Sequence, residues 1–199
     1  MKNGKVKSRK LLTIASRVSS VTNSFVQAII PDVPFSQEEM EEALAILGMT
    51  PDNRTCVYCG TSATDWDHLR PLVKGKQPTG YVNEIRNVVP ACGPCNQSKS
   101  GADWLKWMTG PAKGSPKTKK VADLDERIGR LQAFVRWGNV KPLPLEQLAG
   151  PQLWKIHWDN LKLIEQRMKD AQVHAAQIRS AIAKALEEQR QHTEPRGAS

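Results

Sequence analysis

Cys56-Val57-Tyr58-Cys59 and Cys92-Gly93-Pro94-Cys95 hold the only four cysteines of a 199-residue chain, with residues 60–91 between them. A Cys-x-x-Cys knuckle turns two thiolates toward one cation, and two knuckles complete a tetrahedral four-sulfur zinc site. Such a site has no open position, so its zinc would be structural. A redox dithiol is the alternative, but that motif normally comes singly and in a βαβ setting. The gap between the pairs is longer than in common zinc ribbons. A segment is therefore inserted between the knuckles, and it decides the fold.

Working outward from the cysteines, Thr64–Leu72 and Asn87–Ala91 read as short strands. Val73–Glu84 contains Gly75, Pro78 and Gly80 and reads as a loop. From about Gly93 to Met108 the pattern turns helical, and Gly110-Pro111 ends it. Asp67-His68 falls at the end of the first strand, and Asn87 opens the second. Asn96 directly follows Cys95, with Lys99 three residues on along the same helical face. Zinc would pin both ends of this segment, so that Asp67, His68 and Asn96 converge. A carboxylate and an amide oxygen are hard ligands suited to Mg²⁺ or Mn²⁺. Imidazole is the side chain fitted to take a proton from water near neutral pH.

This order of residues resembles the HNH endonucleases of the ββα-metal superfamily, in their four-cysteine, zinc-stabilised form. The resemblance covers about residues 54–105. It implies two strands and a helix tied together by zinc. It also implies His68 as general base, Asp67 and Asn96 as ligands of a catalytic Mg²⁺ or Mn²⁺, and Asn87 as the residue that orients the loop carrying the base. Asn96 stands where many relatives have His. Lys99, and less strongly Arg70, are candidate phosphate contacts. The reaction implied is hydrolysis of DNA to 5′-phosphate and 3′-hydroxyl ends, the metal acting on the scissile phosphate and the leaving oxygen.

Beyond the insert, net charge is +9 and sequence pI about 9.5. Such a balance concerns partners, with nucleic acid the leading one. Residues 1–30 carry six Lys or Arg and no acid, and residues 110–120 add four Lys and no acid. Both segments could follow a phosphate backbone or simply be solvated. The apolar run at Leu11–Ala15 is too short for a signal peptide and is followed by Arg17. A transit peptide is a further reading of the basic start. The default expectation is a cytoplasmic protein with no membrane span.

Ser36 and Glu39 form a capping box for a helix over 36–47, which Gly48 stops. A second helix is expected over 121–137. A long one, from about Leu153 to about Gln191, has Leu161, Met168, Ala175 and Ile182 in heptad register with Ile164, Ala171, Ile178 and Ala185. Part of that seam is expected to pair with 121–137 as a hairpin, leaving the rest for a second copy of the chain.

The fold class expected is α+β, mostly α, with a small zinc core flanked by helical regions. Its divisions are 1–49, 50–109, the linker 110–120, and 121–199. Functionally, a restriction-type or defence endonuclease acting on double-stranded DNA leads. A monomeric nicking, homing or phage DNA-processing nuclease follows, and a non-catalytic zinc-ribbon DNA binder comes from another class. An RNA-directed nuclease or toxin gains little from the 6% of aromatic residues.

Overall fold

The computed structural model describes residues 13–193, so the basic residues Lys2 to Lys10 lie outside the described part. The fold is α+β, mostly α, with two small two-stranded sheets. The chain divides into two compact units, one spanning Asn23–Gly150 and the other joining the chain up to Thr22 with the chain from Pro151. These divisions differ from those expected, because the helices flanking the cysteine region share its core.

In the central unit, α2 (Gln37–Ile46) follows a short α1 (Val18–Ala28) that crosses the first division. The capping box forms: Ser36 Oγ accepts from the Glu39 amide at 3.2 Å, and the Glu39 carboxylate accepts from the Ser36 amide at 3.0 Å. The buried face of α2 is Ala43 and Leu44, continued by Leu47. It meets α5 (Leu124–Gly138), whose Leu131 and Phe134 are buried in the same core as Tyr58, Leu69, Val89 and Met108. The α5 face assigned to a hairpin with the long helix is instead taken up by α2 and this core.

Strands β1 (Asp65–His68) and β4 (Val88–Ala91) pair antiparallel, from Asp65 opposite Ala91 to His68 opposite Val88. β1 is shorter than expected because the chain turns after Leu69, where Asn87 holds the Arg70 peptide. The expected loop contains a small hairpin, β2 (Val73–Lys74) with β3 (Gln77–Pro78), joined by Gly75-Lys76. The expected single helix is two. α3 (Gly93–Lys99) packs on β1 and stops at Ser100, which adopts a positive φ of 47°. α4 (Trp104–Met108) then starts afresh, with the Asp103 carboxylate capping the Lys106 amide at 2.9 Å.

Residues 110–120 form a docked strap rather than a loose linker. Ser115 is fully buried, its hydroxyl bonded to the Gly110 carbonyl and to Thr118. A β-carbon on Gly114 would meet Ser98 Oγ at 2.3 Å, so the strap lies directly on α3. Lys113, Lys117, Lys119 and Lys120 all remain exposed. The Pro- and Leu-rich segment after α5 contains a short α6 (Leu145–Ala149).

In the other unit, α7 (Pro151–Thr193) is a single helix of 43 residues. The N-terminal segment lies along its first half. Thr22 donates to the Glu165 carboxylate at 2.8 Å, and the Ile14 amide donates to Gln172 at 2.8 Å. Leu161 is buried, whereas Ile178, Ile182 and Leu186 are exposed. Among the described residues, no helix is long and apolar enough to cross a membrane.

If α5 is part of the central core, Phe134→Ala should lower the stability of that unit by about 3–5 kcal/mol. Amide hydrogen exchange at β4 would read the loss. Protection unchanged there would make α5 peripheral.

Candidate functional site

The four cysteine sulfurs all lie within 4.8 Å of one another. Cys59 Sγ and Cys92 Sγ are 3.7 Å apart. A zinc–sulfur tetrahedron, with bonds of about 2.3 Å, has edges of about 3.8 Å, so the donor set and spacing fit one zinc ion. The first knuckle is shaped by the Gly60 amide donating to the Cys56 carbonyl at 2.9 Å. The second is the start of α3, where Cys92 is the N-cap and Pro94 occupies the first turn. The two are laced through β4, since the Val57 amide donates to the Pro90 carbonyl and the Thr64 amide to the Ala91 carbonyl, both at 3.0 Å. A hydrogen bond from Cys95 pushes the Cys56 thiol down to about 5, while that bond, burial and the Cys56 charge push Cys95 up.

Arg127 of α5 clamps this knuckle from behind. Its guanidinium donates to the Cys56 carbonyl at 3.2 Å and the Val57 carbonyl at 3.4 Å, and pairs with Asp123 at 2.7 Å. Gly60 adopts φ +79°, and a β-carbon there would fall 2.4 Å from Arg127 Nη2. The position needs glycine for backbone and for space.

Asp67, His68 and Asn96 line one cavity of about 280 Å³, with Gln27, Pro71, Leu72, Val73, Ser100 and Gly101. β1 delivers the first two and the first turn of α3 the third. Asn87 is fully buried. Its Oδ1 accepts from the Arg70 amide at 2.9 Å and its Nδ2 donates to the Arg70 carbonyl at 3.0 Å. It therefore fixes the turn immediately after His68. The His68 ring bonds through Nε2 to Asn83 Oδ1 at 2.9 Å.

Lys99 does not face solvent. Its side chain is 0% exposed, and Nζ lies 3.0 Å from Asp67 Oδ2, 3.2 Å from Oδ1 and 2.8 Å from the His68 carbonyl. The expected phosphate contact is replaced by an internal one, because helical phase turns this position onto β1. Tyr58 Oη donates to Asp67 Oδ2 at 2.6 Å. Burial raises the Asp67 pKa against the opposing pull of Lys99 and Tyr58, and burial with the neighbouring carboxylate pushes the Tyr58 phenol well up. Asp67 keeps 6% side-chain exposure, on the cavity it shares with His68 and Asn96. Oδ1, held only by Lys99 at 3.2 Å, is the freer of its two oxygens.

Arg70 is half-buried, its guanidinium 5.6 Å over the Tyr81 ring, with Nη1 buried and without a hydrogen-bond partner. Tyr58, Asn83, Arg127 and Gln27 were not singled out from sequence. Tyr58 lies inside the first knuckle, where its i+2 place between cysteines was the available signal. The comparison with protein-family models, with curated proteins and with solved structures finds no match to the chain.

The purified chain should carry one zinc per molecule by elemental analysis. Cys92→Ser should lose it together with β-sheet protection, because metal binding here is folding energy. A folded, metal-free variant would refute that. Lys99→Met should cost about 3–5 kcal/mol, since it leaves the Asp67 carboxylate buried and unpaired. A loss below 1 kcal/mol in denaturant titration would contradict the internal pairing.

Proposed function

We propose that the central unit is a metal-dependent DNA endonuclease of the HNH, ββα-metal class. The observation that carries this reading is the gathering of Asp67, His68 and Asn96 around one cavity, beside a four-cysteine cluster that can hold structural zinc. Asp67 and Asn96 would hold Mg²⁺ or Mn²⁺ through their side-chain oxygens. A cation bound there would supply Lewis acidity to a scissile phosphate. His68 accepts a proton from the water whose oxygen attacks phosphorus. The bond from phosphorus to the 3′-oxygen breaks, and that oxygen takes a proton from solvent, leaving 5′-phosphate and 3′-hydroxyl ends. Asn87 holds the turn behind His68. Lys99, turned inward, orients Asp67 and the His68 peptide.

The substrate in this reading is double-stranded DNA. The exposed lysines of the strap, Lys113, Lys117, Lys119 and Lys120, favour a phosphate backbone. A restriction-type or defence enzyme fits a chain that can pair through α7, whose heptad residues Ile178 and Ile182 are exposed.

The test is cleavage of supercoiled and long linear DNA with Mg²⁺, with Mn²⁺ and with chelator. Wild type should cut only with metal, and His68→Ala should bind DNA but cut about 10²–10⁴-fold more slowly. Discrete fragments would favour the restriction role, and nicks or a smear a DNA-processing one. Tight binding without metal-dependent cutting by wild type would refute the nuclease and leave a zinc-ribbon binder.

A further inference from the structure

His68 is not held by its own strand alone. A three-residue hydrogen-bond chain reaches it from a segment that precedes both cysteine knuckles. Asp32 lies on Asn83 through a parallel bridge, with the Val33 amide donating to the Asn83 carbonyl at 2.8 Å and the Asn83 amide to the Pro31 carbonyl at 3.2 Å. The Asn83 side chain donates through Nδ2 to Asp32 Oδ1, and its Oδ1 meets His68 Nε2 at 2.9 Å. A carboxylate only accepts, so Asp32 must face the amide nitrogen of Asn83. The amide oxygen therefore faces histidine, and an oxygen can only accept. The proton of neutral His68 is thus confined to Nε2, and the lone pair is left on Nδ1.

We infer that Asp32 and Asn83 are positioning residues that lock His68 in its Nε2–H tautomer, with Nδ1 free to take a proton. The inference rests on the nuclease reading for its catalytic consequence, though not for the lock itself. A general base needs its lone pair aimed at the attacking water, and the wrong tautomer presents a proton there instead. The chain also joins the 31–33 segment to the site. Asp32 is exposed and makes no contribution to the buried core, so its replacement tests the lock without removing packing.

The experiment is ¹⁵N NMR of the ring nitrogens of His68 in the full chain at alkaline pH, on wild type, Asp32→Ala, Asp32→Asn and Asn83→Ala, paired with steady-state cleavage. Wild type should show the pyridine-type nitrogen at Nδ1. Asp32→Asn can donate as well as accept, so it no longer dictates which way the Asn83 amide faces and should admit some of the Nδ1–H tautomer. Asp32→Ala and Asn83→Ala should show mixed tautomers, with kcat about 10–100-fold lower and KM within twofold. Zinc content checks folding in each. A proton on Nδ1 in wild type, or an unchanged tautomer and kcat in Asn83→Ala, would overturn the inference. A chain that shows the tautomer pattern but cuts no DNA with any divalent metal would refute the nuclease and support the lock.

Discussion

Four sulfurs gathered within 4.8 Å of one another set the geometry on which the rest of the central unit depends. A two-strand sheet with one short helix cannot bury enough apolar surface to hold itself together. A cation among the thiolates would supply the missing energy, as in other small metal-folded units. The cluster ties the loop ahead of β1 to the first turn of α3. That single constraint brings the end of β1, with Asp67 and His68, opposite Asn96. The rest of the unit reinforces the same point, since α5 sends Arg127 to the knuckle carbonyls and Phe134 into the shared core.

Beneath the cavity lies a second, more costly arrangement. Lys99 and Asp67 form an ion pair with almost no exposure to water, and each must recover its lost hydration from neighbours. Lys99 does so through the His68 carbonyl, and Asp67 through Tyr58. The pair is a poor way to gain stability compared with an apolar core. It is an effective way to fix a carboxylate and the adjacent peptide of a histidine in one position. Their arrangement around the cavity suits a site that must be preorganised.

What could be read from sequence was local. The knuckles follow from Cys spacing, the capping box from Ser36 and Glu39, and the two strands from short apolar runs punctuated by Cys, Gly, Pro and Asn. Of the candidate site residues, Asp67, His68 and Asn96 line one cavity, whereas Asn87 and Lys99 are buried and Arg70 is outside its lining. What could not be read depended on direction or on distant contacts. Lys99 shares a helical turn with Asn96, and spacing alone does not say that its long side chain folds back under β1. Nothing in the composition of 110–120 announces that Ser115 is buried and that Gly114 rests on Ser98. The apolar face of α5 was compatible with α7 as partner, and only the packing in the central unit assigns it to α2. Asp32 and Asn83 are 51 positions apart, so neither marks the other.

The central proposal is that Asp67 and Asn96 would hold a divalent cation beside His68. It is tested most directly by titrating Mn²⁺ into the zinc-loaded chain and following paramagnetic broadening in NMR spectra. The account predicts early, selective loss of the His68 ring and Asn96 side-chain signals, absent in an Asp67→Ala chain. Signals at His68 and Asn96 that persist while others broaden would contradict it.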